Sequence, residues 1–379
     1  MPWRQVSIMS QRLEFVTLAV GEGANVRRLC RRFGISPKTG YKWLHRFREG
    51  GVEALEDCSR RPHSSPRRTP HSIEQAILAM RDRHSVWGAR KIRARLEAKG
   101  MGGLPTVSTI TAILRRNGRV DPEESDKHQP WQRFEAQEPN CLWQMDFKGH
   151  FSVSQIRCHP LTVLDDHSRY LVGLYACADE RWRTVQAHLT SVFRRYGLPE
   201  RMLVDNGSPW GSDEVYQHTP LTVWLMQLGV EVSHSRPYHP QTLGKCERLH
   251  RTLKAEVIGS RPFFSLEHCQ GHFDLWRHVY NFERPHEALS MAVPASRYRE
   301  SRREFANSLP PMEYSPGDEV RKVQVKGVIS FHNREFKVGG AFRGHQVALR
   351  PSTTDGVFEV FFSHHKVAQV DLNDHNAED

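Results

Sequence analysis

No run of about 18 apolar residues occurs in this 379-residue chain, so the sequence offers no membrane-spanning helix. The opening stretch, MPWRQVSIMSQRLEF, lacks the apolar centre of a secretory signal. The seven cysteines, at 30, 58, 141, 158, 177, 246 and 269, never form a CxxC pair. Odd in number and scattered, they predict reduced thiols in the cytoplasm, not a disulfide frame or a zinc site. Acidic residues are scarce in the first third alone: residues 1–120 carry 24 Lys and Arg against 9 Asp and Glu, whereas the remainder carries 30 against 34. The formal net charge of +11 therefore resides at the N-terminal end, which points to a polyanionic partner. The length allows about two to four domains.

The basic third reads as helices. In NVRRLCRRF (25–33), Val26, Leu29, Cys30 and Phe33 recur at helical spacing, and Gly34 suits a C-terminal stop. Ser36 is a good N-cap and Pro37 a good first helical residue for a helix that buries Gly40, Trp43, Leu44 and Phe47. Two helices across a short Gly-containing turn make a helix-turn-helix, expected over 1–57. Its second helix would lie in a DNA major groove. Lys38, Thr39, Tyr41, Lys42 and His45 are the base-contact candidates, and Arg27, Arg28, Arg31 and Arg32 could meet phosphates.

A basic linker is expected over 58–70, where Arg60, Arg61, Arg67 and Arg68 could follow a groove. Residues 71–118 repeat the helical pattern as a second helix-turn-helix, winged or plain, with Ser108 or Thr106 capping its last helix. A more acidic linker, 119–140, precedes a change of pattern.

From 141 onward strands alternate with helices. LWQMDFKGHF reads as a strand with Trp143, Met145 and Phe147 on one face and Gln144, Asp146 and Lys148 on the other. LTVLDDHSRYLVGLYAC reads as a hairpin turning at DDHSR, so Asp165 and Asp166 are assigned to turn geometry. RMLVD is a short strand ending at Asp205. Asp213 and Glu214 are assigned to a helix start and His239 to shaping the PYHPQT turn. The helix after that turn carries Glu247, with Lys245, Arg248, Arg251 and Lys254 around it. Arg251 and Lys254 share the face of Glu247, while Cys246, Leu249 and Leu253 turn inward. Three carboxylates on separate elements with cations beside the last suit two-metal phosphoryl transfer, in which divalent ions clamp the attacking and leaving oxygens.

The motifs LWQMDFKG, RMLVDNGSPWG and RPYHPQTLGKCERLHRTLK together resemble those of DDE transposases of bacterial insertion sequences, whose catalytic core is shared with retroviral integrases. YNFERPHEAL (280–289) matches a segment that follows this core, with Tyr280, Asn281, Arg284, Pro285 and His286 given a packing role. The resemblance implies a ribonuclease H-like α/β core over 141–300. Asp146, Asp205 and Glu247 would be both catalytic residues and ligands of two Mg2+ ions, which Mn2+ could replace. It further implies double-stranded DNA partners, the terminal inverted repeats and the target, and at least a dimer on DNA. The site would be the bacterial nucleoid. Lys245, Arg248, Arg251 and Lys254 would then grip DNA phosphates.

Short strands at 311–372 suggest a small all-β barrel, which resembles the SH3-like barrels that follow such cores. Its balance of 8 Lys and Arg against 10 Asp and Glu over 311–379 favours an architectural role. The expectation is thus a multidomain chain that cleaves and joins DNA strands. A DNA-binding regulator with a silent core and a nuclease of the same fold are the alternatives.

Overall fold

A computed structural model describes residues 7–57, 68–120, 135–211, 218–235, 244–306, 308–309 and 311–374. The chain divides into two compact units, 1–68 and 69–379.

The first unit packs three helices, α1 (Ile8–Val20), α2 (Val26–Arg32) and α3 (Pro37–Gly50). Ser36 caps α3 by accepting from the Thr39 N–H at 3.1 Å, with Pro37 in the first turn. Phe15, Val16, Ala19, Cys30, Trp43, Leu44 and Leu55 form the core. Gly40 is required by close approach: a Cβ there would stand 2.3 Å from Cys30 Sγ and 2.9 Å from Phe15 Cζ. Overpacking of this kind costs about 1–3 kcal/mol. Gly40→Ala should therefore lower the unfolding temperature of this unit in calorimetry of the full chain. An unchanged transition would show that the helices separate freely.

The second unit begins with α4 (His71–Arg83), α5 (Ala89–Ala98) and α6 (Val107–Arg116), packed around Ile77, Trp87, Ile92, Ile110 and Ile113. Of the two proposed caps Thr106 is the one used, accepting from Thr109 N–H at 3.4 Å.

The central sheet contains β1 (Leu142–Phe147), β2 (Phe151–Val153), β3 (Ile156–Asp165), β4 (Leu171–Cys177), β5 (Arg201–Val204) and β6 (Glu231–His234). β3 pairs antiparallel with β1, β2 and β4, whereas β5 and β6 extend the other side of β1 in parallel. This mixed order is the ribonuclease H-like arrangement of an integrase core. The single strand expected from LWQMDFKGHF is broken, because Gly149 turns the chain at φ 82° and β2 starts a hairpin of its own. One face of the sheet packs on α7 (Trp182–Tyr196) and α8 (Pro220–Gln227) through Trp143, Met145, Val185, Leu189 and Leu225. The other packs on α9 (Gly244–Glu256) and α10 (Leu266–Phe282) through Leu164, Leu174, Leu249, Leu253 and Phe273.

α10 also closes the outer edge of β4. Asn281 Nδ2 donates to Leu171 O at 3.1 Å while its Oδ1 accepts from Leu171 N–H at 2.8 Å. Gln270 Nε2 donates to Leu174 O at 3.0 Å, and its Oε1 accepts from Ala176 N–H at 2.8 Å. Arg277 Nη1 donates to Val172 O at 3.0 Å. Polar side chains thereby occupy backbone groups that a further strand would take.

The C-terminal part is all-β. β7 (Glu319–Lys322), β10 (Gln346–Pro351), β11 (Val357–Phe362) and β12 (His365–Asp371) form a four-stranded sheet; β8 (Val328–Phe331) and β9 (Arg334–Lys337) form a separate hairpin. Among the described residues these strands do not close into a barrel.

Candidate active site

Strand register brings two of the three singled-out acids together. β1 and β5 run parallel with Leu142 beside Arg201 and Gln144 beside Leu203. Two residues further along each strand stand Asp146 and Asp205. Asp205 follows the last strand residue, and its Oδ1 accepts from Gly207 N–H at 3.1 Å. The Asp146 carboxyl is pushed up to about 7, first by burial, then by the negative charge of Asp205 and, more weakly, of Glu247. Desolvation and like charge both penalise the ionised form.

Glu247 sits exposed in the first turn of α9, on a helix whose Cys246, Leu249 and Leu253 are buried against the sheet. Segment 236–243, with His239, lies outside the described residues, as do Asp213 and Glu214. Among the described residues no three His, Cys, Asp or Glu side chains are gathered closely enough to hold a metal ion. Asp146 and Asp205 nevertheless supply hard oxygen donors, and their mutual repulsion is the kind that a divalent cation relieves.

His250 is a neighbour that the sequence reading missed. Its Nδ1 lies 3.8 Å from Asp146 Oδ2, and its Nε2 is 2.8 Å from Thr162 Oγ1. Thr162 spends its single hydroxyl proton on Asp146 O at 3.0 Å, so it must accept from the His250 Nε2–H. Nδ1 thus presents a lone pair to Asp146. Burial pushes His250 down to about 4, with Lys148 adding to the shift. The signal available was position: His250 comes one turn after Glu247 on a helix already assigned to the site. Lys148 is also close, its ammonium lowered by burial and then by Lys254.

The four cations of α9 separate. Arg248, Arg251 and Lys254 are exposed. Lys245 is turned inward, where its Nζ pairs with Asp166 Oδ1 and donates to Asp166 O at 3.2 Å. Burial and Arg169 pull this ammonium down more than Asp166 lifts it. Asp166 is fully buried; it also accepts from Ala136 N–H at 2.7 Å and Gln144 Nε2 at 2.8 Å. Asp165 accepts from Asn140 N–H at 2.7 Å and Ser168 N–H at 2.8 Å. Asp165 thus holds the turn and the segment before β1, and Asp166 ties that segment to β1 and to α9.

On the first unit Lys38, Tyr41, Lys42 and His45 are exposed along α3, Thr39 is half-buried at its cap, and Arg27, Arg28, Arg31 and Arg32 are exposed on α2. His45 Nε2 lies 3.5 Å from Glu49, and Lys42 Nζ sits 4.9 Å from the Trp43 ring centre. Arg68 is exposed, whereas Arg60, Arg61 and Arg67 lie outside the described residues.

Comparison with known proteins adds a second line. Residues 11–63 match a helix-turn-helix domain and 39–114 a homeodomain-like domain. Residues 136–240 and 228–294 match integrase core domains, and 318–378 match the C-terminal domain of IS481 family transposases. An uncharacterized 31.7 kDa protein of insertion element IS407 from Burkholderia multivorans is 26% identical over 157 residues, 41% of this chain and 54% of that protein. An uncharacterized 39.2 kDa protein of insertion element IS476 from Xanthomonas euvesicatoria is 27% identical over 179 residues, 47% of this chain and 49% of that one. The chain spans about half the length of these curated relatives. The HTLV-2 integrase catalytic core in complex with magnesium overlaps at 15% identity and TM-score 0.34, covering 44% of this chain and all of that one. No helix in the described residues is long and apolar enough to cross a membrane. One polypeptide thus carries matches to helix-turn-helix domains, to integrase core domains and to the C-terminal domain of IS481 family transposases.

Proposed function

We propose that the chain binds the terminal inverted repeats of its own mobile element, cuts a strand to free a 3′-hydroxyl and joins that hydroxyl to target DNA. The observation that carries this reading is the placement of Asp146 and Asp205 at one level of adjacent parallel strands, where burial and like charge raise Asp146 to about 7. Asp146, Asp205 and Glu247 would hold two Mg2+ ions, with Mn2+ able to substitute. Such a pair supplies charge neutralisation and a clamp on the attacking and leaving oxygens when bound.

The rest falls to the chain's own side chains. Lys148, Arg248, Arg251 and Lys254 offer positive charge around the acids for a DNA backbone. Lys245 holds the start of α9 on the buried Asp166 and so positions Glu247, two residues later. α3 reads bases with Lys38, Thr39, Tyr41, Lys42 and His45, while the arginines of α2 and of 60–68 meet phosphates. Water and then the freed hydroxyl attack phosphorus, so no covalent protein–DNA intermediate forms. Two element ends must meet, which requires at least a dimer working at the bacterial nucleoid. The C-terminal strands, slightly acidic, serve assembly.

Incubating pre-cut terminal-repeat DNA with plasmid and magnesium tests this directly. Joined products are expected. Nicked plasmid without joining would make the chain a nuclease, and repeat binding without any cleavage would make it a regulator.

A further inference from the structure

We propose that His250 is a nitrogen donor to the ion held at Asp146, which gives this position a preference for borderline ions such as Zn2+ over Mg2+. The inference rests on the metal-dependent reading of Asp146 proposed above.

Three elements build the geometry. Asp146 of β1 stands opposite Thr162 of β3 in the strand register, and α9 brings His250 to both. Cys246, Leu249 and Leu253, buried on the same helix, hold that face of α9 on the sheet. Thr162 is fully buried, and its hydroxyl, already donating to Asp146 O at 3.0 Å, takes the His250 Nε2–H at 2.8 Å. The imidazole thus has a fixed orientation, with its lone pair on Nδ1. Metal-ligating histidines are held in this way, by a hydrogen bond from the ring nitrogen that does not meet the metal.

Nδ1 lies 3.8 Å from Asp146 Oδ2. That is beyond hydrogen-bond reach. It is inside the roughly 4.2 Å that two bonds of about 2.1 Å to one ion can span. Mg2+ is hard and seeks oxygen, so it gains little from an imidazole, whereas Zn2+ takes nitrogen and carboxylate together. His250 and Asp146 supply one of each, and water or the other two acids would complete the shell. The competing role for His250 is mechanical. Through Thr162 it ties the helix of Glu247 to the strand of Asp146, and its loss would then disturb every ion alike.

The test titrates the full chain, free of DNA, with Zn2+ and separately with Mg2+ in a calorimeter. His250→Leu removes the ring, and His250→Gln removes it while keeping a donor for Thr162. Either variant should weaken one Zn2+ site by at least about tenfold and leave Mg2+ affinity within about twofold. Thr162→Val, which frees the ring, should weaken the same site about tenfold. Zinc held elsewhere, for instance by His268 and His272, whose Nε2 atoms lie 3.2 Å apart, is common to all the proteins and cancels. The wild type also serves without substitution at His250. Loaded with Mn2+, it should show by pulsed electron paramagnetic resonance a directly bound imidazole nitrogen, and Asp146→Asn should lose that signal. Absence of the nitrogen signal, a His250 variant that matches the wild type for zinc, or equal weakening of both ions overturns the inference. A wild type that joins DNA with Mg2+ yet gives one of those results overturns it alone. If Asp146→Asn binds Mg2+ and Zn2+ as the wild type does, the acids hold no metal and the proposed function falls as well.

Discussion

Replacing Asp205 with Asn is expected to lower strand joining by about 10²–10³-fold or more, a loss typical of removing a principal electrostatic stabiliser. Duplex binding should survive, because the helical units that read DNA are distant in sequence from β5. Asp146→Asn should cost as much activity, and its effect on stability should have the opposite sign. The Asp146 carboxyl titrates near 7 in the folded chain against an ordinary value of 3.8. Ionising it therefore costs folding free energy that is absent at pH below about 4, grows as pH rises, and is fully present above 7. An amide removes that cost. Without divalent cations at about pH 8, Asp146→Asn should unfold at a higher temperature than the wild type, and the gain should vanish in acid. Retained joining in either variant would sink the catalytic assignment. A fall in stability for Asp146→Asn would instead show that the carboxylate is held by partners, not repelled by them.

Lys245→Ala should destabilise the fold far more than loss of any exposed cation of α9, Arg248, Arg251 or Lys254. Asp166 is fully buried, and without the ammonium its charge keeps, among the described residues, only the Ala136 N–H and the Gln144 amide. Breaking a buried pair from one side typically costs about 3–5 kcal/mol, because the abandoned charge stays out of water. Denaturant titration should show this as a lower midpoint with an unchanged slope. The double change Lys245→Met with Asp166→Asn should recover most of it, since no charge is then stranded. If Lys245 were instead a DNA contact, Lys245→Ala would leave the midpoint unchanged and weaken duplex binding.

This pair also marks the limit of what the sequence discloses. The local devices were readable: Ser36 and Pro37 starting α3, Gly40 between packed helices, Trp143 and Met145 opposite Gln144 and Asp146 on β1. Each depends on neighbours within a few residues, where helical and strand periods fix direction. The turn role of Asp165 was readable for the same reason, since its carboxylate holds the Ser168 N–H three residues on; that of Asp166 instead reaches Gln144 and Ala136, 22 and 30 residues away. Lys245 was not readable, because it meets Asp166 from 79 residues away and its spacing resembles that of the exposed Arg248 and Arg251. His250 was missed for a like cause: its partners, Asp146 and Thr162, lie on two other strands. The C-terminal strands were countable, but their pairing into a sheet and a separate hairpin, without closure among the described residues, is set by register across the chain.

The amides and guanidinium of α10 that finish β4 have a consequence for synthesis. They lie 94 to 110 residues downstream of the backbone groups they serve. At about 5–20 residues per second, a ribosome leaves that rim bare for roughly 5–20 s after β4 is made. During this interval a nascent chain offers strand-pairing groups to its neighbours on the same polysome. The helix that completes the sheet thus also ends the period in which the newborn protein most needs a chaperone.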